Sequence, residues 1–180
     1  MQLRTERLLL REFVEGDWPA VQEYACDPQV VRFMSWGPNT EDDTRAFVAR
    51  ALAGQREEPR RAYEMAVTLL DDGRLIGGCG LHLGNPANRS AMLGYCYARA
   101  FWGNGYATEA ARALVDFGFR ELALHRIWAT CDPDNAASAR VLEKFGMQRE
   151  GRLREDTNVR GRWRDSFVYG VLEQERDARI

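Results

Sequence analysis

Phe101-Trp102-Gly103-Asn104-Gly105-Tyr106-Ala107-Thr108-Glu109-Ala110 is the stretch that decides the fold. A strand-like run, Met92-Leu93-Gly94-Tyr95-Cys96-Tyr97, precedes it. A helical pattern follows, with Ala107, Ala110, Ala111, Leu114 and Gly118 on one face. Two glycines therefore sit where a strand hands over to a helix. The first N–H groups of a helix have no internal partners and carry the positive end of its dipole. Glycine lets an oxyanion reach such a backbone without meeting a Cβ. The segment suits a phosphate or pyrophosphate; the bland alternative is a tight turn without a ligand.

Working outward, Leu8 to Phe13 reads as a first strand, and Gly16-Asp17 opens a helix to about Ala25 with Asp17 as N-cap. Thr40 followed by Glu41-Asp42-Asp43 reads as an N-cap with an acidic first turn. Tyr63–Leu70 and Leu75–Leu83 form a hairpin about Asp71-Asp72-Gly73. Strand Ala91–Tyr97, the glycine turn and its helix to about Phe119 come next. Then follow strand Arg126–Cys131, a helix from Asn135 to Phe145, and two closing strands about Gly161. The order β-α-α-β-β-β-α-β-α-β-β predicts one α+β domain over residues 1–180, with a mixed, mostly antiparallel sheet and helices on both faces.

A net charge of −2 argues against a general binder of nucleic acid or membrane surfaces. Of the 25 basic residues 24 are arginine, which reads as compositional bias or as an arginine-lined anion pocket. Cys26, Cys79, Cys96 and Cys131 lack metal spacing, and three lie in strand-like runs as expected buried thiols. His82 and His125 have no ligand motif around them, so no metal is expected. The N-terminus lacks a signal-peptide pattern, and a reducing cytoplasm is the simplest home.

These motifs together resemble the GNAT superfamily of acyl-CoA N-acyltransferases. The helix-start motif reads Trp102-Gly103-Asn104-Gly105-Tyr106-Ala107, with Trp102 in place of the usual Gln or Arg. Trp-Gly-x-Gly-Tyr-Ala-x-Glu-Ala is similar to the RimJ/RimL-type branch, which includes ribosomal-protein N-terminal acetyltransferases. So are Thr5-Glu6-Arg7-Leu8-Leu9-Leu10-Arg11, Asn135-x-x-Ser138-x-x-Val141-Leu142-Glu143-Lys144-x-Gly146 and Gly161-x-Trp163-x-Asp165. The likeness covers nearly the whole chain.

The resemblance implies acetyl-CoA as co-substrate, its pyrophosphate on the backbone from Trp102 through Gly103, Asn104, Gly105, Tyr106 and Ala107 to Thr108. It implies a pantetheine arm lying beside the strand that ends at Tyr97. A backbone N–H of Tyr95 or Cys96 would polarise the thioester carbonyl. Asn135 would bond the cofactor, or only cap its helix. Ser138 would help protonate the leaving thiolate, because the family's acid tyrosine falls at Leu142. The usual base position is Met92, which leaves Glu64, Glu155, Asp156 and Asp165. Phe33-Met34-Ser35-Trp36-Gly37-Pro38 falls where this branch builds its acceptor loop. Glu41, Asp42 and Asp43 would attract a cationic acceptor, though helix-start acidity also explains them. Glu109 is accounted for by the helix dipole. The implied activity is transfer of acetyl to a primary amine without an acyl-enzyme, by a monomer or homodimer. The acceptor would be a protein N-terminus; a polyamine, amino acid or aminoglycoside, or a non-catalytic acyl-CoA-binding role, are the alternatives.

Overall fold

The computed structural model describes residues 1–176. Its strands are β1 (Gln2–Arg4), β2 (Leu8–Glu12), β3 (Ala62–Leu69), β4 (Leu75–Leu83), β5 (Ser90–Tyr97), β6 (Arg126–Cys131), β7 (Gln148–Val159) and β8 (Arg162–Leu172). Its α-helices are α1 (Trp18–Ala25), α2 (Glu41–Gly54), α3 (Tyr106–Arg120) and α4 (Ala136–Lys144). One sheet runs in the order β1-β2-β3-β4-β5-β6-β8-β7. Every neighbouring pair is antiparallel except β5 and β6, whose parallel pairing needs the crossover that α3 supplies.

The short β1 is absent from the sequence reading. Three residues are too few to show alternation, and only pairing with Leu9–Arg11 makes them a strand. The capping role expected of Asp17 is also corrected. Its carboxylate turns back, accepting from Val14 N–H at 2.8 Å and from Arg11 Nη1 and Nη2 at 2.7 and 2.8 Å. It is a nearly buried tie between β2 and the start of α1, not a cap. Thr40 does cap α2: its hydroxyl accepts from Asp43 N–H while Asp43 accepts from Thr40 N–H.

Two cores lie on opposite sides of the sheet. On one, α1 and α2 bury Phe13, Val21, Tyr24, Val31, Val48 and Ala51. On the other, α3 buries Ala110, Ala111, Leu114 and Phe119 against Leu8, Leu10, Leu81, Leu93 and Ile127. This is the stripe that the 3.6-residue spacing specifies. Each fully buried leucine such as Leu114 contributes about 2 kcal/mol. The helix α4 buries only Leu142 completely, with Ala139 partly buried beside it, and keeps its first turn open. Among the described residues no helix is long and apolar enough to cross a membrane.

The join of β4 to β5 is tightest at Gly77. A Cβ there would lie 2.4 Å from the Cys96 carbonyl oxygen and 2.9 Å from Tyr97 Cα, both main chain and unable to yield cheaply. Gly77→Ala is therefore expected to cost about 2–3 kcal/mol, read from the denaturant midpoint. Gly16→Ala, where a Cβ meets nothing within 4 Å, should stay within about 0.5 kcal/mol. Equal midpoints for the two variants would contradict this packing.

Candidate active site

Gly103 (φ +79°) and Gly105 (φ +82°) both adopt left-handed backbone, and Gly105 is the N-cap of α3. Among the described residues no side chain caps that helix. The first bond into the turn is Glu109 N–H to the Gly105 carbonyl. Among the described residues the N–H groups of Tyr106, Ala107 and Thr108 have no acceptor. A Cβ on Gly103 would meet nothing within 4 Å, so the glycines leave a bare cradle in front of unpaired donors. These residues fit a pyrophosphate.

The side chains of the turn are occupied in building it. Asn104 donates to the Phe101 and Trp102 carbonyls at 3.2 and 3.1 Å. Trp102 Nε1 donates to the Tyr97 carbonyl at 2.8 Å. Tyr97 itself points into the core, with its hydroxyl buried. These bonds fix the turn and leave its main chain, where the pyrophosphate is expected, facing outward. Glu109 does more than complement a dipole. It accepts from Thr5 Oγ1 at 2.6 Å, from Arg7 N–H at 2.9 Å and from Arg7 Nε at 2.8 Å. Burial alone would raise its pKa, but these donors outweigh burial and hold it below the usual carboxylate range. The tie leaves the Arg7 guanidinium at the rim of the turn, donating to the Asn104 carbonyl and stacked 4.7 Å from the Tyr106 ring centre. A groove of about 480 Å³ continues past Gly105 and Thr108, where Arg112 and Lys144 line it together with Glu6, Glu109 and Asp116.

Beyond the turn the sheet is split. β5 and β6 pair only over Ser90–Met92 and Arg126–Trp128, although β5 runs on to Tyr97 and β6 to Cys131. In an antiparallel ladder a residue turns both its main-chain groups the same way. The Ser90 carbonyl accepts from Gly84 and Ala98 N–H donates to Ile76, so even-numbered residues of β5 face β4. Odd-numbered residues face the split. Of the two expected oxyanion donors, Tyr95 points its N–H into the gap, whereas Cys96 spends its N–H on β4.

Across the gap, the Tyr95 phenol oxygen lies 2.8 Å from Ser138 Oγ on α4. Asn135 caps α4 by accepting from Ser138 N–H at 3.1 Å, which fixes Ser138 in its first turn. Asp134 is not the cap; with Asp132 it binds the Arg164 guanidinium. Burial raises the Tyr95 phenol well above its ordinary value, only partly offset by Ser138, so it stays protonated.

On the α1–α2 side of the sheet lies a cleft of about 610 Å³. Phe13, Tyr24, Phe47, Met34 and Trp36 wall it, and Gly78, Gly94 and Cys96 floor it. Its charged lining is Asp43, Arg50, Glu64 and His82. Glu41 and Asp42 do not line it. Arg160, on the turn after β7, donates to the Val31 and Gly37 carbonyls at 3.1 and 2.8 Å and so holds the wall that carries Met34 and Trp36. Glu155, Asp156 and Asp165 lie on the exposed final hairpin, away from the cleft. Asp165 is engaged by Glu155 N–H and Arg152 Nε.

The family model for the acetyltransferase (GNAT) domain matches residues 7–148. The chain belongs to the GNAT acetyltransferase family. The acetyltransferase is 37% identical over 175 residues to "Uncharacterized N-acetyltransferase YnaD" of Bacillus subtilis (strain 168), covering 97% of this chain and 99% of that one. It is 25% identical over 175 residues to the [ribosomal protein uS5]-alanine N-acetyltransferase of Escherichia coli (strain K12), covering 93% and 89%. A crystal structure of a GNAT-family acetyltransferase from Bacillus anthracis superposes with a TM-score of 0.87 at 36% identity, covering 97% and 100%. The protein is an N-acetyltransferase with a GNAT fold.

In this acetyltransferase the sequence located the glycine turn before α3, β5 and the start of α4. It missed Arg7, Arg160, the reach of the Tyr95 side chain and a Glu64–His82 contact of 2.9 Å. Those depend on register and on contacts between distant segments. One local signal did exist: glycines at 78, 80 and 94 alternate on two strands and so clear one face of the sheet.

Thr108→Asp tests the turn without breaking it. A carboxylate in a helix's first turn favours the helix but repels a phosphate. The melting temperature should hold or rise while acetyl-CoA affinity falls at least tenfold by titration calorimetry. Unchanged affinity would remove the turn from the binding site.

Proposed function

We propose that this enzyme moves the acetyl group of acetyl-CoA directly to one primary amine, the α-amine of a protein N-terminus with a small or apolar first residue. The observation that carries the reading is the split between β5 and β6, bordered by Tyr95 N–H and bridged by Tyr95 and Ser138. The cleft supports the acceptor class. Its aromatic walls suit an apolar neighbour to the amine, and polar sugars would gain little there. Asp43 and Glu64 against Arg50 leave charge for one ammonium, not for a polycation. The E. coli relative is named for an alanine of a ribosomal protein. The free cysteines Cys26, Cys79, Cys96 and Cys131 accord with a reducing cytoplasm.

Acetyl-CoA supplies the activated acyl group; the protein supplies position and polarity. The N–H groups of Tyr106, Ala107 and Thr108 would hold the pyrophosphate, with the Arg7 guanidinium at the rim of the turn. Tyr95 N–H donates to the thioester carbonyl oxygen and to the charge that builds on it. Ser138, held by Asn135 and backed by the Tyr95 phenol, donates a hydrogen bond to the departing sulfur. A phenol and an alcohol are both weaker acids than a thiol, so they stabilise the thiolate and do not protonate it outright. Cys96 is no rival nucleophile. Burial pushes its thiol up to about 12, leaving on the order of one thiolate in 10⁵ at pH 7.

Ser138→Ala and Tyr95→Phe should each lower single-turnover rate by up to about 10²-fold, with acetyl-CoA affinity unchanged. Because one hydroxyl acts through the other, the double variant should be no slower than the worse single one. Additive losses would separate the two groups. Mass spectrometry of wild-type reactions with N-terminal peptides, polyamines, amino acids and aminoglycosides tests the acceptor class. Initial-rate lines that intersect, and an intact mass without added acetyl, are expected for direct transfer. Acetylation of polyamines or aminoglycosides with peptides left untouched would overturn the acceptor reading.

A further inference from the structure

The register of β3, β4 and β5 sets three transverse rows on the cleft face. They are Ala66–Gly78–Cys96, Glu64–Gly80–Gly94 and Ala62–His82–Met92. The middle row carries one side chain. A Cβ on Gly80 would lie 2.5 Å from Glu64 Oε2, so the carboxylate is laid over that glycine. A Cβ on Gly94 would meet nothing within 4 Å. A bare lane thus leads from Glu64 to β5, the strand that carries Tyr95. From the adjacent row His82 Nε2 contacts Glu64 Oε1 at 2.9 Å. Met92, the family's usual base position, is the residue directly opposite His82.

We infer that Glu64, held by His82, accepts the proton that the acceptor ammonium must lose before it attacks, a role that rests on the amine-acetylating function proposed above. With a neutral imidazole the pair carries one negative charge, which suits an ammonium. In that state the imidazole carries its proton on Nδ1, so the ammonium's first proton enters between Glu64 and the His82 Nε2 lone pair and leaves an imidazolium–carboxylate pair of zero net charge. The freed lone pair forms the C–N bond as the C–S bond breaks, and a second N–H proton goes to sulfur. The half-exposed His82 then returns the first proton to water.

The cleft leaves this titration to His82. From α1, burial holds the Tyr24 phenol well above its ordinary value. From α2, Thr40 holds Asp43 below the usual carboxylate range, and Arg50 adds a guanidinium to the lining. In the sheet, burial keeps the Cys79 and Cys96 thiols protonated. The hydrogen bond to Glu64 raises His82 above its ordinary value near 6.5, and burial only partly opposes it. The active pair needs neutral imidazole, so kcat/KM should rise with pH through a midpoint above about 6.5.

The test combines NMR titration of the imidazoles with kinetics on an alanine-leading peptide amine. His82 and His125 are the only histidines, so His82→Gln assigns the signals. The His82 midpoint should match the acid limb of wild-type kcat/KM and move down in Glu64→Gln. Both variants should lose roughly 10²–10³-fold in kcat/KM with acetyl-CoA affinity unchanged by calorimetry. Glu64→Asp, which keeps the carboxylate, should retain more activity than Glu64→Gln. An unaltered acid limb in His82→Gln, or Glu64→Gln within threefold of wild type, overturns the pair while the proposed function stands. A wild type that acetylates no primary amine overturns both.

Discussion

Everything in this protein's site depends on two parallel strands parting after three residue pairs. A continuous sheet would satisfy the main-chain groups on the outer edge of β5 and leave a ligand nothing to bond. The buried anchor of the split is strong: Ala91 and Ile127 are fully buried, and α3 packs across both strands. Past that anchor, β5 reaches α4 through Tyr95 and Ser138. An open edge between two covered faces invites strand-like ligand addition, which the family's co-substrate would provide.

The rest of the fold holds the borders of that opening. Thr5 and Arg7 clamp Glu109 and so fix the first turn of α3 against the N-terminal hairpin. Trp102 ties the glycine turn back to the end of β5. Arg164 joins Asp132 and Asp134, just before α4, and lies 5.4 Å from the Phe33 ring centre. Arg160 binds the same 31–37 segment from the hairpin turn. Single exposed ion pairs add little stability, but these arginines bond several carbonyls or carboxylates at once and restrict where loops can sit. The arginine-rich composition has no single cause here: Arg7 stands at the rim of the glycine turn, and Arg160 fastens the 31–37 segment.

The sequence made legible what is local or periodic. The α3 stripe, the Thr40 capping box, the glycine turn and the hairpin at Asp71-Asp72-Gly73 each follow from neighbours within a few residues. What escaped it involves pairing between distant segments. Gln2–Arg4 becomes a strand only beside β2, and Asp17 leaves its capping place only because Arg11 and Val14 N–H compete for it. Which of Tyr95 and Cys96 turns its N–H into the gap depends on the direction of one ladder. Glu64 and His82 are eighteen positions apart, and their meeting follows from the β3–β4 register.

The central claim is that the open edge of β5 receives the acyl donor, with Tyr95 N–H as its bonding partner. Residue-resolved amide hydrogen exchange in the presence and absence of acetyl-CoA measures this directly. The account predicts that Tyr95 N–H exchanges freely alone and slows at saturation, whereas Cys96 N–H, already bonded to β4, is protected in both states. Saturating acetyl-CoA that leaves Tyr95 exchange unchanged would contradict it.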